Sequence, residues 1–233
     1  GIYDRRIGSL IHSKELEQDH LLGHSVILLA CTQAANVTNL LFQSSMMRML
    51  DADQYGTLIA MLGVFAVITM PLAALPWATA YFTAGWIREG RVRETRGLVA
   101  AVTRDAMWGG IVMLVIAAIA SGPTLRYFKL ESGTPFLLTI AAVAASVAGS
   151  AFVGALQGAQ GFAWLAGVGF IGSFARLLLA VLFVMLAGTA AGALLGHAAS
   201  MVVTGVVAVV GVRKILGGGR EPPARADGFY RYC

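Results

Sequence analysis

The chain has 233 residues, of which 58% are apolar and 12% are charged. So few charges cannot cover a water-soluble domain of this size, which excludes an ordinary globular domain and makes the bilayer the solvent. The formal net charge of +5 does not point to nucleic acid, because Lys and Arg sit in short stretches beside hydrophobic runs and form no basic stripe with interleaved aromatics.

Residues 1–20 read as a cytoplasmic tail carrying Asp4, Arg5, Arg6, Lys14, Glu15, Glu17 and Asp19, with no apolar core of signal-peptide type. A membrane helix needs roughly 20 mostly apolar residues. Hydropathy places spans near Leu21–Met47, Tyr55–Phe82, Leu98–Ser121, Pro135–Gly158, Phe162–Gly188 and Thr189–Val212. The expected fold is all-α, a polytopic bundle of about six transmembrane helices occupying residues 21–214 as one domain. Residues 215–233 read as a polar, disordered tail, and the start at Gly1 in place of Met predicts a fragment of a longer protein. With the N-terminus inside, Lys and Arg divide 12 inside against three outside, namely Arg48, Arg126 and Lys129. That bias predicts a protein of the cytoplasmic membrane with both ends cytoplasmic.

In the first span, Thr32, Asn36, Asn39 and Gln43 follow 4-3-4 spacing and share one helical face, which either bonds a neighbouring helix or lines a water-filled cavity. His20 and His24, at its start, have i, i+4 spacing, but no cysteine or carboxylate cluster completes a metal site. The second span carries Pro71 and Pro76, each removing a helix hydrogen bond and predicting a bend. Arg104 and Asp105 read as an interfacial pair in the third span.

Small residues recur every fourth position in the fourth span, at Ala142, Ser146, Ser150, Gly154 and Gly158, and in the sixth, at Gly192, Gly196, Ser200 and Thr204. Such ridges let helix backbones approach closely. In the fifth span Arg176 falls about midway, where insertion scales charge an arginine about 2.5–3.5 kcal/mol. Gly169 and Gly172, one and two turns earlier on the same side, would leave open space beside it. Its fork suits bidentate contact with phosphate oxygens; the alternatives are snorkelling to an interface or a bond to a carbonyl. His197 reads as a helix-packing donor in the sixth span.

Cys31 lies in a span and Cys233 is the last residue, so a disulfide between them is not expected. No Walker loop, HExxH, GxSxG elbow or pair of intramembrane carboxylates occurs, so neither an enzyme nor a bound cofactor or metal is expected.

The stretch VTNLLFQSSMMRMLDADQYGTLIAMLGVFAVITMPLAALPWATAYF resembles the opening of the polysaccharide and O-antigen flippase family. A second segment, GALQGAQGFAWLAGVGFIGSFARLLLAVLFVMLAGTAAGALLGHAAS, is similar to that family's fourth to sixth spans. It carries a GxLQGxQxF pattern at Gly154, Gln157, Gly158, Gln160 and Phe162, and the arginine at Arg176. The resemblance covers roughly residues 22–214. It implies the two-lobe fold of the multidrug/oligosaccharidyl-lipid/polysaccharide exporter superfamily, of which this chain would be the N-terminal lobe. It implies export of a polyprenyl-pyrophosphate-linked oligosaccharide for cell-surface polysaccharide, with Arg176 on the pyrophosphate. Asn36, Asn39, Gln43, Thr32 and Gln157 would join Arg176 in the cavity, and Gly154, Gly158, Gly192 and Gly196 would pack helices. Partners would be the bilayer, the lipid-linked glycan and a second lobe, from the same chain or another copy. Rival readings are a drug or cation antiporter lobe of the same superfamily and a non-transporting membrane assembly subunit.

Overall fold

The computed structural model describes residue 26, residues 28–120, residue 122 and residues 132–217. The tails at residues 1–20 and 218–233, together with His20, His24, Arg126, Lys129 and Cys233, lie outside the described residues. In chain order the helices are α1 (residues 28–49), α2 (Ala52–Leu72), α3 (Ala74–Arg88), α4 (Val92–Ile119), α5 (Thr134–Gly158), α6 (Phe162–Ala187) and α7 (Ala190–Ile215). No strand occurs among the described residues.

Five helical units among them are long and apolar enough to cross a membrane: Ala52–Arg88, α4, α5, α6 and α7. The chain is a multi-pass, all-helical membrane protein, in which backbone polar groups inside each span bond within their own helix because hydrocarbon offers no partner. α1 is not among the five, and its described part carries the amides Gln33, Asn36, Asn39 and Gln43.

The second expected span is interrupted where the prolines stand. Pro71 lies in the last turn of α2, and Pro76 lies in the first turn of α3, where a missing N–H has no helical partner to lose. Between them the Ala73 N–H is shared by the carbonyls of Thr69 at 3.1 Å and Met70 at 3.3 Å. The α2–α3 unit then runs on to Arg88, and α4 begins at Val92, so the connection is shorter than the spans Tyr55–Phe82 and Leu98–Ser121 allow. Gly90, at φ 74°, makes this tight turn. Arg93 and Arg96 consequently lie on α4 itself, where hydropathy loses a helix as soon as it becomes polar.

The remaining ends are marked by local chemistry. Asp51 caps α2, its carboxylate accepting from the Gln54 N–H at 2.9 Å. Gly188 ends α6 in the left-handed region at φ 65°, and Thr189 caps α7 by accepting from the Gly192 N–H. The Gln54 side chain reaches across the bundle to accept from the Ala190 N–H at 2.8 Å, so it serves as a further cap for α7.

α7 lies between α5 and α6, and α5 also meets α2, α3 and α4. The predicted small-residue positions are where the backbones come closest. Gly154 faces Pro76 and Thr79 of α3, and a Cβ at Gly158 would lie 2.7 Å from the Thr83 Cβ. Gly192 would place a Cβ 2.7 Å from the Phe183 carbonyl oxygen, and Gly196 abuts the Leu179–Ala180 backbone of α6. Gly149 and Gly205 bring α5 and α7 together midway along their lengths. At the end bearing Arg88, Arg91 and Lys214, the Arg96 guanidinium donates to the Leu216 and Gly217 carbonyls, tying the start of α4 to the exit of α7. Arg91 and Lys214 there stack on Trp86 and Trp164, at 5.2 and 5.3 Å.

Gly196→Ala should therefore lower stability by about 1–3 kcal/mol, because the methyl meets backbone that cannot yield. Gly167→Ala, where nothing lies within 4 Å of an added Cβ, is the control and should be neutral or slightly stabilising. Thermal unfolding of both variants in detergent tests this, and equal melting temperatures would refute the close-packing account.

Candidate functional site

Two apolar clusters divide the bundle. One gathers Trp86, Leu98, Val102, Leu156, Val168 and Val212 toward the Arg96 end. The other gathers Phe42, Met46, Leu50, Leu58, Met61, Ala180, Val184 and Leu194 from α1, α2, α6 and α7. At the border of the second cluster lie two contacts that draw on four helices: Phe42 of α1 with Arg176 of α6, and Phe65 of α2 with His197 of α7.

Arg176 is half-buried, with its guanidinium carbon 4.0 Å from the centroid of the Phe42 ring. Phe42 is 1% exposed, so this is a desolvated cation–π contact. His197 is 2% exposed and stands edge-on to Phe65, with ring centroids 4.7 Å apart. Gly172 of α6 meets Thr204, and Ala180 meets Gly196, so Arg176 lies at the level of Ser200, one turn from His197.

The cluster is distinguished by what it leaves unpaired. Five buried side-chain atoms among the described residues have no hydrogen-bond partner, and three of them are here: Arg176 Nε and both ring nitrogens of His197. Neighbouring hydroxyls are already committed. Thr38, Thr69, Ser173, Ser200 and Thr204 each donate to a carbonyl three or four residues back on their own helix. No Asp or Glu occurs in α6, α7 or the described part of α1, and α2 has only the exposed Asp53 in its first turn. A cation–π contact gives about 0.5–2 kcal/mol, which falls short of the 2.5–3.5 kcal/mol an arginine costs at mid-bilayer. The balance calls for an anion or a hydrated path.

The other residues expected to share a cavity with Arg176 are not gathered around it. Thr32, Asn36 and Gln43 are exposed. The Thr32 hydroxyl donates to the Leu28 carbonyl, and the Asn36 amide donates to Gln33 at 3.3 Å. Only Asn39, half-buried one turn before Phe42, flanks the cluster. Gln157 is the penultimate residue of α5, five residues before α6 begins, which sets it roughly 20 Å along the helix axis from Arg176. The open space expected beside Arg176 is also filled on one side, because Thr204 occupies the Gly172 notch, whereas Gly169 faces open space. Phe42 and His197 escaped sequence reasoning as a pair with Arg176. Phe42 sits between Asn39 and Gln43, and the amides drew attention to the neighbouring face.

A concavity of about 420 Å³ lies at the α2–α3 break, against α4 and α5, lined by Leu72, Leu75, Val102, Gly109, Met113 and Val147 among others. Its charged lining residue, Asp105, is paired with Arg104 at 3.0 Å. Both partners are well exposed, so the pair is an interfacial one. Among the described residues no cluster of His, Cys, Asp and Glu could hold a metal ion.

Comparison with known proteins yields no family model, no curated protein and no solved structure that matches this chain.

Phe42→Leu keeps an apolar side chain in place but removes the ring face under Arg176. It should cost about 1–2 kcal/mol, beyond which Phe42→Leu in an Arg176→Met background should cost little. A double-mutant cycle by thermal unfolding measures the coupling, and a coupling near zero would show that the contact carries no energy.

Proposed function

We propose that this chain is a lobe of a flippase for lipid-linked oligosaccharides, in which Arg176 engages the pyrophosphate that joins glycan to polyprenyl lipid. The observation that carries this reading is a half-buried arginine with an unpartnered Nε, set on a buried aromatic ring. No carboxylate on the helices around it is placed to neutralise it. A charge so placed favours an anionic cargo: phosphate oxygens accept from a guanidinium in bidentate geometry and repay its desolvation.

The cargo's chemistry fits a membrane bundle. A pyrophosphate and a hydroxyl-rich sugar cannot cross hydrocarbon unaided, whereas the polyprenyl chain can stay in lipid throughout. A polar path past one fixed positive charge would meet both needs. The same charge disfavours the cation-antiporter reading, since a cationic substrate would meet Arg176 with no carboxylate beside it. A pure assembly subunit would have no use for an unpaired charge in its interior.

In cells depending on this protein for surface polysaccharide, Arg176→Ala should abolish display at matched protein levels, and Arg176→Lys should retain a small fraction of it. Lysine keeps the charge and loses the fork. Quantifying surface glycan against membrane-inserted protein makes the test. Full display by the alanine variant would sink the role given to Arg176.

A further inference from the structure

His197 is the most buried titratable side chain on the described helices, and the packing of α7 does nothing with its polar atoms. At 2% exposure, neither ring nitrogen has a partner. Its nearest aromatic neighbour, Phe65, is met edge-on at 4.7 Å and accepts no conventional hydrogen bond. The hydroxyl next along the helix, Ser200, donates at 2.7 Å to the His197 backbone carbonyl, so the ring gains nothing from it. Two unpaired buried nitrogens cost free energy, and a phenylalanine or leucine would fill the same volume without that cost. A helix-packing role therefore does not account for the residue.

Its position does. The contacts of Gly172 with Thr204 and of Gly196 with Ala180 bracket Arg176 on α6 and place His197 one turn from it. The hydroxyls of Thr38, Thr69, Ser173, Ser200 and Thr204 all donate to their own helices. That leaves Arg176 and His197 as the buried donors of this cluster still uncommitted. Met46, Leu58, Met61, Val184 and Leu194 belong to the apolar cluster that Phe42 joins, which borders the pair on that side. An oxygen bound by Arg176 would then be held against a dry wall with the imidazole beside it.

We propose that His197 is the second ligand of the anion site, donating a ring N–H to a phosphoryl oxygen held by Arg176. This rests on the reading of Arg176 as a phosphate ligand and extends it. A neutral or a charged imidazole can each supply such a donor, and a donor shared between two helices makes α7 as well as α6 sense the cargo. The ligand chemistry is that of the phosphoryl oxygens of a pyrophosphate, and a lipid-linked or a free form both offer them.

The test uses the full chain in phosphatidylcholine nanodiscs, titrated with a polyprenyl pyrophosphate, with inorganic pyrophosphate and with the uncharged polyprenol. His197→Phe should weaken binding of the pyrophosphate probe about tenfold, the value of one hydrogen bond to a charged group. The same variant should melt no lower than the parent chain, because it removes unpaired polar atoms from a buried site. His197→Gln, which keeps a donor, should recover part of the affinity. Polyprenol binding should be unaffected. Inorganic pyrophosphate binding with the same dependence on His197 would support the site and place its recognition in the phosphates alone. Loss of binding by Arg176→Ala with none by His197→Phe would overturn the role of His197 and leave Arg176 standing. A parent chain that binds neither pyrophosphate probe would overturn both.

Discussion

A bilayer gives an apolar side chain no reward for leaving it, so the helices of this chain are held by how closely their backbones fit. Glycine at 154, 158, 192 and 196 and the Gly149–Gly205 crossing allow that fit. α7 is the element most dependent on it, since it packs against both α5 and α6. Its N-terminus is capped by Thr189 and by Gln54 of α2, and its C-terminal carbonyls are held by Arg96 of α4. Both ends and one whole flank of α7 are thus fixed by other helices. That fixed register sets Arg176 one helical turn from His197 across the α6–α7 contact.

Against this tight frame, the Arg176–His197 cluster stands out as a place where stability is given up. Phe42 compensates for part of the guanidinium's desolvation, yet about 1–3 kcal/mol is at stake for each polar group left unpaired. Natural proteins tolerate such deficits chiefly where function needs a group to remain available. The Arg91–Glu94 and Arg104–Asp105 pairs show the contrasting case: half-buried or exposed at the bundle's rim, mutually satisfied and worth little. Location and pairing together, and not charge alone, separate a site from a solvated surface.

The helical fold was legible because hydropathy is a property of long windows, and six apolar runs leave few alternatives. The glycine ridges were legible for a similar reason, since a repeat of four maps directly onto one helix face. Helix ends were less so: α4 starts six residues before its apolar run, on Arg93 and Arg96, because membrane helices continue into the polar interface beyond the hydrocarbon. Of the site, Arg176 was legible as a charge in a greasy stretch. Its partners were not, because which of two adjacent α1 residues turns inward is a matter of a 100° rotation. Phe42 and Asn39 face the bundle, while Thr32, Asn36 and Gln43 look outward. Gln157 shows a related limit: a motif can unite residues in sequence that the helix axis holds apart.

The outward amides of α1 carry the remaining physical consequence. Thr32 and Asn36 satisfy themselves locally, through Leu28 and Gln33, but Gln43 and Ser44 sit exposed on a helix otherwise bounded by Val37, Leu40 and Met47. Hydrocarbon would leave their amide and hydroxyl groups without partners. Water or another protein surface satisfies them, which makes α1 the helix least suited to face lipid all round. Phe42, on the inner side of the same helix, holds Arg176. Any displacement of α1 that carried Phe42 with it would move the ring away from the half-buried guanidinium and remove what offsets part of its desolvation.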